Sequence, residues 1–168
     1  IENDATVAAF GVLWLGLEPG IKNLIYMYSG VGCGIIINGE VYRGTGGGAG
    51  EVTIYEPLGE KIDIPLGPIK MVGLDMGILA KARAAITNGT ETILKDTPDL
   101  SAKTIIEAAK EGDRLATELV EYAGVALGIK IAFLVNFLNP EVVVVGGGME
   151  EAGSLILEPI KRMVKKCS

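Results

Sequence analysis

Apolar residues along this chain gather either in short unbroken runs or in longer stretches that recur every three or four positions. These are the rhythms of buried strands and of helices. Val7, Ala8, Val12 and Leu15 recur at helical spacing and predict a helix over Ala5–Leu17, ended by Pro19-Gly20. Leu24–Tyr28 is a short apolar run and predicts a buried strand. Ser29–Gly34 reads as a turn and Ile35–Ile37 as a second strand. Asn38-Gly39 is a hairpin signal, because both residues tolerate positive φ, and Val41-Tyr42 begins the returning strand.

Gly44–Gly50 is too rich in glycine for a helix or a strand interior and predicts a loop that brings backbone close to something. Glu51–Met71, with Pro57, Pro65 and Pro68, reads as irregular. A short helix is expected from Gly77 to Ile86, stopped by Asn88-Gly89. Ser101 is a predicted N-cap for a helix over Ala102–Lys110, and Asp113 for a longer one through Leu138, where Asn139-Pro140 ends it. That helix is apolar nearly all round, so it is expected to be buried on most sides. Gly124 and Gly128, four apart, would let another element approach it closely. Val142–Val145 reads as a strand buried on both faces, followed by Gly146-Gly147-Gly148. Leu155–Lys166 closes the pattern as an amphipathic helix, in which Pro159 is tolerable only near the first turn.

Composition narrows the chemistry. The 168 residues are 49% hydrophobic and include 24 glycines, enough for an aliphatic α/β core with many tight turns. The net charge of −6 argues against this surface gripping nucleic acid by itself. There is no histidine, which excludes Ser-His-Asp and Cys-His catalysis and any His-ligated metal. Cys33 and Cys167 are too few and too far apart for a zinc site, so a reduced, cytoplasmic chain is expected. The acidic start gives no expectation of a signal peptide, and Glu121, Lys130 and Asn136 interrupt the most apolar stretch, Val120–Leu138. A core helix is expected there, with no membrane association. The chain has no initiator Met and reads as a piece of a longer protein.

Two glycine-rich turns follow strands, Gly30–Gly34 and Gly146–Gly148. Backbone N–H groups in such turns can point at phosphate oxygens, but for each turn taken alone plain tight turning is the favoured reading. Neither has the spacing of a dinucleotide fingerprint or a P-loop. Asn3-Asp4 precedes a helix: it is a cap, or it is a carboxylate and amide placed to take a proton from a substrate hydroxyl. Glu51, after the glycine loop, is a solvated charge or a second acceptor for sugar hydroxyls.

The order of these signals along the chain resembles the ROK family of repressors and sugar kinases. The resemblance rests on Glu2-Asn3-Asp4-Ala5, Gly30–Gly39 with its Ile-rich strand, Tyr42-Arg43-Gly44, Ala49-Gly50-Glu51, and Leu138-Asn139-Pro140-Glu141 through Gly148. It implies an α/β lobe of the actin-like ATPase (ribonuclease H-like) type, a mixed sheet with packed helices. It also implies that residues 1–168 are the C-terminal portion of a sugar-sensing or kinase-like domain, with the N-terminal lobe and any helix-turn-helix domain outside this chain. By resemblance, Asn3 and Asp4 match a sugar-binding pair, Asp4 the catalytic base of the kinases, and Glu51 a ligand for sugar hydroxyls. Gly30, Gly32 and Gly34 match a phosphate turn, and Gly146, Gly147 and Gly148 an adenosine-side turn.

The departures point away from the kinases. The family's His three residues after Glu51 is Ile54 here, and no Cys lies between Tyr55 and Met71, so no zinc is expected. Tyr28 replaces the first glycine of the phosphate turn, where a ring would crowd a phosphate. The expectation is the sugar-binding and oligomerisation region of a ROK-type transcriptional regulator, a homodimer that meets DNA only through the missing domain. The alternative is part of an ATP- and Mg-dependent sugar kinase, with Asp4 as base. A third reading is a scaffold that binds no sugar.

Overall fold

The computed structural model describes residues 3–16, 20–28, 32–52 and 77–168. They form helix α1 (Asp4–Leu15), strands β1 (Leu24–Tyr28), β2 (Gly32–Ile37) and β3 (Glu40–Val41), helices α2 (Ile78–Thr87), α3 (Ala102–Lys110) and α4 (Arg114–Leu138), strand β4 (Val142–Gly146) and helix α5 (Ser154–Cys167). Short 3₁₀ turns lie at Ile93–Asp96 and Met149–Ala152. The sheet runs β3-β2-β1-β4. β1 pairs antiparallel with β2 and parallel with β4, so the sheet is mixed. The parallel pair is reached through the crossover that contains α2, α3 and α4, as parallel pairing requires.

Each face of the sheet buries a separate cluster. Ile25, Met27, Cys33 and Ile35 join a large core with α3, α4 and α5, while Leu24 and Ile36 pack with Ala9 of α1 on the other side. The alternation follows from the two-residue period of a strand: register partners Leu24–Ile36 and Ile25–Ile35 lie on opposite faces.

Caps set the helix boundaries. Ser101 and Thr104 form a capping box at the start of α3, and Asp113 accepts from the Ala116 amide to start α4. Asn139, at φ 46°, ends α4 in the left-handed conformation. Asn38 and Gly39 both take positive φ, at 55° and 82°, and make the hairpin turn. No helix among the described residues is long and apolar enough to cross a membrane.

Gly124 and Gly128 place α5 against the backbone of α4. A Cβ at 124 would stand 2.9 Å from Ile156 O and from Pro159 Cβ, and one at 128 would stand 2.7 Å from Met163 Cβ.

Four expectations change. Gly32 and Gly34 belong to β2 and not to a turn, because the strand pairs back as far as Tyr28–Gly32. The four valines of β4 are half-buried rather than enclosed, since β4 is an edge of the described sheet. Pro159 lies in the second turn of α5, buried where Gly124 gives it room. The buried residues of α1 are Ala5, Thr6 and Ala9, whereas Val7, Phe10, Trp14 and Leu15 face outward. Only small side chains fit between α1 and β2, because Gly34 brings the strand backbone against Ala5 and Ala9.

Candidate functional site

The structure brings Asn3 and Glu51, 48 residues apart, into direct contact. Asn3 Nδ2 donates to Glu51 Oε1 at 3.0 Å. The other end of the same amide caps α1, where Asn3 Oδ1 accepts from the Ala5 amide at 2.9 Å. One side chain thus starts the helix and holds the carboxylate. Asp4 is the first residue of α1, and its Oδ1 shares the Ala5 amide at 2.8 Å. Both carboxylates stay exposed. Among the described residues nothing engages Asp4 Oδ2 or Glu51 Oε2, which leaves acceptor oxygens for an incoming hydroxyl.

Glu51 is aimed by the loop before it. The Cys33 amide donates to Gly50 O at 2.8 Å, binding the loop end to β2. Gly50 sits at φ 94°, and a Cβ there would strike the Cys33 carbonyl. The close backbone approach expected of the glycine loop is therefore made to its own neighbouring strand. Beneath it, burial pushes the Cys33 thiol up to about 11, with the Glu51 charge adding to the effect.

The glycines of the two turns serve different purposes. Gly30 lies outside the described residues, as do Ile54 and 55–71. Gly34 is required for packing: a Cβ there would fall on the Ala5 carbonyl and 2.5 Å from Ala9 Cβ. At Gly32 a Cβ would meet only Gly50 O, at 3.7 Å. Gly146 is the last residue of β4, and the Tyr26 hydroxyl fills the space where its Cβ would be. Gly147 and Gly148 take φ of 85° and 102° and form the turn. The Gly148 amide donates to Glu150 Oε2 at 2.7 Å. Tyr26 and Tyr28 stand on one face of β1, with ring centroids 6.5 Å apart. Burial first, then the charge of Glu150 and the neighbouring Tyr28, raise the Tyr26 phenol above its ordinary pKa.

Zinc does not fit the segment after Glu51, since residues 53–76 contain neither Cys nor His.

Two contacts were not legible in the sequence. Glu150 carried no motif of its own. Glu141 turns out to be a clamp: its Oε2 accepts from the Lys22 amide at 2.8 Å, the Asn23 amide at 2.7 Å and Asn23 Nδ2 at 3.2 Å. Those backbone donors hold the Glu141 carboxyl below its usual range. It fixes the start of β4 beside the start of β1, and so the parallel register.

The pattern of the ROK family matches residues 1–60 and 72–168. A glucokinase from Halalkalibacterium halodurans is 37% identical over 172 residues, covering 96% of this chain and 52% of that protein. A xylose repressor from Caldicellulosiruptor bescii is 29% identical over 177 residues, covering 100% of this chain and 44% of the repressor. The chain therefore spans about half the length of the curated relatives it matches. Among solved structures, a ROK family transcriptional regulator, a homologue of the E. coli MLC protein, aligns with a TM-score of 0.81 at 27% identity, over 99% of this chain and 43% of that one. The fold is of the actin-like ATPase type. The chain belongs to the ROK family, and its relatives there include both a xylose repressor and a glucokinase.

Proposed function

We propose that this chain is the sugar-sensing region of a ROK-type transcriptional regulator. The observation that carries the reading is the Asn3–Glu51 hydrogen bond beside Asp4. It gathers an amide and two exposed carboxylates, the acceptors and donors that suit a neutral, polyhydroxylated ligand. Asp4 and Glu51 accept from sugar hydroxyls, and Asn3 holds Glu51 in place. A sugar acts by binding one conformation of the whole regulator better than another, since only differential affinity shifts such an equilibrium. In this reading DNA binding belongs to a part of the full-length regulator outside this chain. This reading needs no ATP, Mg²⁺ or zinc.

The test is a thermal-shift and calorimetric titration of the full-length protein that contains this chain with D-xylose, D-glucose and N-acetylglucosamine. One of them is expected to raise Tm, as any ligand of the folded state must. Glu51→Gln and Asn3→Ala are expected to weaken that sugar about tenfold or more, the loss of one to two charge-assisted hydrogen bonds. If no neutral sugar moves Tm at millimolar concentration, the sensing reading fails and the scaffold reading replaces it.

A sugar kinase is the second reading, favoured by the glucokinase relative and by Asp4 at the start of α1. There Asp4 takes the proton from the attacking sugar hydroxyl. Sugar-dependent ATP consumption, lost in Asp4→Asn, separates the kinase from the regulator.

A further inference from the structure

Helix α1 is apolar on both of its sides, and a helix of that kind is ordinarily covered on both. Its inner side, Ala5, Thr6 and Ala9, packs on the sheet. Its outer side is open: Val7 is 55% exposed, Phe10 48%, Trp14 78% and Leu15 87%. Spacings of three and four put Val7, Phe10 and Trp14 in one row, with Leu15 beside it. Among the described residues nothing covers this face. Single exposed apolar residues need no explanation, but these four leave on the order of 500 Å² of apolar surface in one place, at the upper end of what a monomer shows. No charged side chain lies between Ala5 and Gly16. Gly11 falls within the same face, and a Cβ there would meet nothing within 4 Å.

We propose that the outer face of α1 is the contact between two copies of this protein, set against each other across a twofold axis. Three observations favour a second copy as the occupant. A twofold contact places one patch against itself, and a face without charge does so with no like-charge pair to separate. The same lack of charge disfavours other partners. An acidic or basic protein finds no counter-charge on α1. An anionic membrane needs Lys or Arg beside the apolar row, and the chain carries a net charge of −6 instead. The area also suffices: paired with its copy, the face removes about 1,000 Å² from water, the size at which a specific interface begins. Trp14 and Phe10 are large and rigid, the kind of side chain that anchors such contacts. The proposal is independent of what Asn3, Asp4 and Glu51 bind.

The experiment is sedimentation equilibrium on the full-length protein that contains this chain. Wild type is expected to be a dimer at micromolar concentration. Trp14→Glu is expected to weaken self-association at least about a hundredfold, because each dimer loses two anchors and buries two unpaired charges. Gly11→Glu is expected to do the same by a route that leaves the fold alone. It brings a better helix former to a position where the chain has room, so circular dichroism should show α1 intact. Phe137→Glu is the control. Phe137 is 74% exposed and stacks on Phe133 of α4, away from α1, and its loss should leave the dimer in place. A thiol label on Leu15→Cys is expected to react slowly in the dimer and rapidly once Gly11→Glu is added. A monomeric wild type overturns the proposal, and so do α1 variants that remain dimeric. So does slow labelling of Leu15→Cys in the presence of Gly11→Glu, for then another part of the same polypeptide covers the face.

Discussion

Replacing Gly34 with alanine tests the link between packing and the candidate site. Gly34 lies inside β2, and an alanine Cβ would fall on the Ala5 carbonyl oxygen and 2.5 Å from Ala9 Cβ. Neither neighbour is a flexible chain end, so α1 itself must move. Overpacking of this kind costs about 1–3 kcal/mol, and contact with backbone puts it at the upper end. Removing a glycine from a strand interior recovers about 0.5–1 kcal/mol. The balance is a loss of about 2 kcal/mol, which for a chain of this length lowers Tm by about 4–8 °C. Gly11→Ala is the matched control. Gly11 sits within α1 with nothing within 4 Å of an added Cβ, so the helix gains about 1 kcal/mol and Tm rises by about 2–4 °C. Thermal unfolding followed by circular dichroism reads both. Sugar affinity should fall with Gly34→Ala, because α1 carries Asn3 and Asp4, and stay unchanged with Gly11→Ala. A Gly34→Ala protein that melts at or above wild type would refute the close approach of α1 to β2, and with it the placement of Asn3 beside Glu51.

The same logic applies to α4 and α5. Gly128→Ala should lower stability by about 1–2 kcal/mol despite its better helix propensity, since its Cβ would stand 3.0 Å from Ile160 Cα and from Ile160 O; an unchanged urea midpoint would count against that packing. Glu141 has a folded-state pKa below its unfolded value, so its contribution to stability is present above pH ~4.3 and lost as pH falls through the folded value. Glu141→Gln should therefore lower Tm at neutral pH and narrow its gap from wild type in acid; a gap that widens in acid would reverse the assignment. Cys167 is exposed and Cys33 buried, with its thiol pushed up to about 11. A thiol reagent at neutral pH should modify Cys167 alone until the chain is unfolded. Rapid labelling of Cys33 in the native protein would mean that β2 and the Gly50 loop do not seal it.

The sequence alone determined the parts that local chemistry governs. Ser101 and Asp113 marked two helix starts, Asn139 a helix end and Asn38-Gly39 a hairpin turn, because a cap or a positive-φ turn is decided by residues within a few positions of each other. The spacing of Gly124 and Gly128 signalled a close approach without saying what approaches. The order of motifs was enough for the family, which the match over residues 1–60 and 72–168 shows.

Tertiary structure decided the rest. Glycine reads alike in sequence whether it turns the chain, admits a helix or holds a loop against a strand. Only the packed partners show that Gly34 admits α1, that Gly50 lies against Cys33 and that Gly146 makes room for Tyr26. The inward face of α1 was likewise invisible, since the helix is apolar on both sides and the glycine on β2 selects its alanines. Asn3 with Glu51, and Glu150 with Gly148, illustrate the two ranges of this limit. The first pair is 48 residues apart in the chain and meets only because the glycine loop folds back along β2. The second is two residues apart in the turn after β4, whose Gly146 meets Tyr26 only because β1 lies parallel beside β4, a fact of the fold and not of the segment.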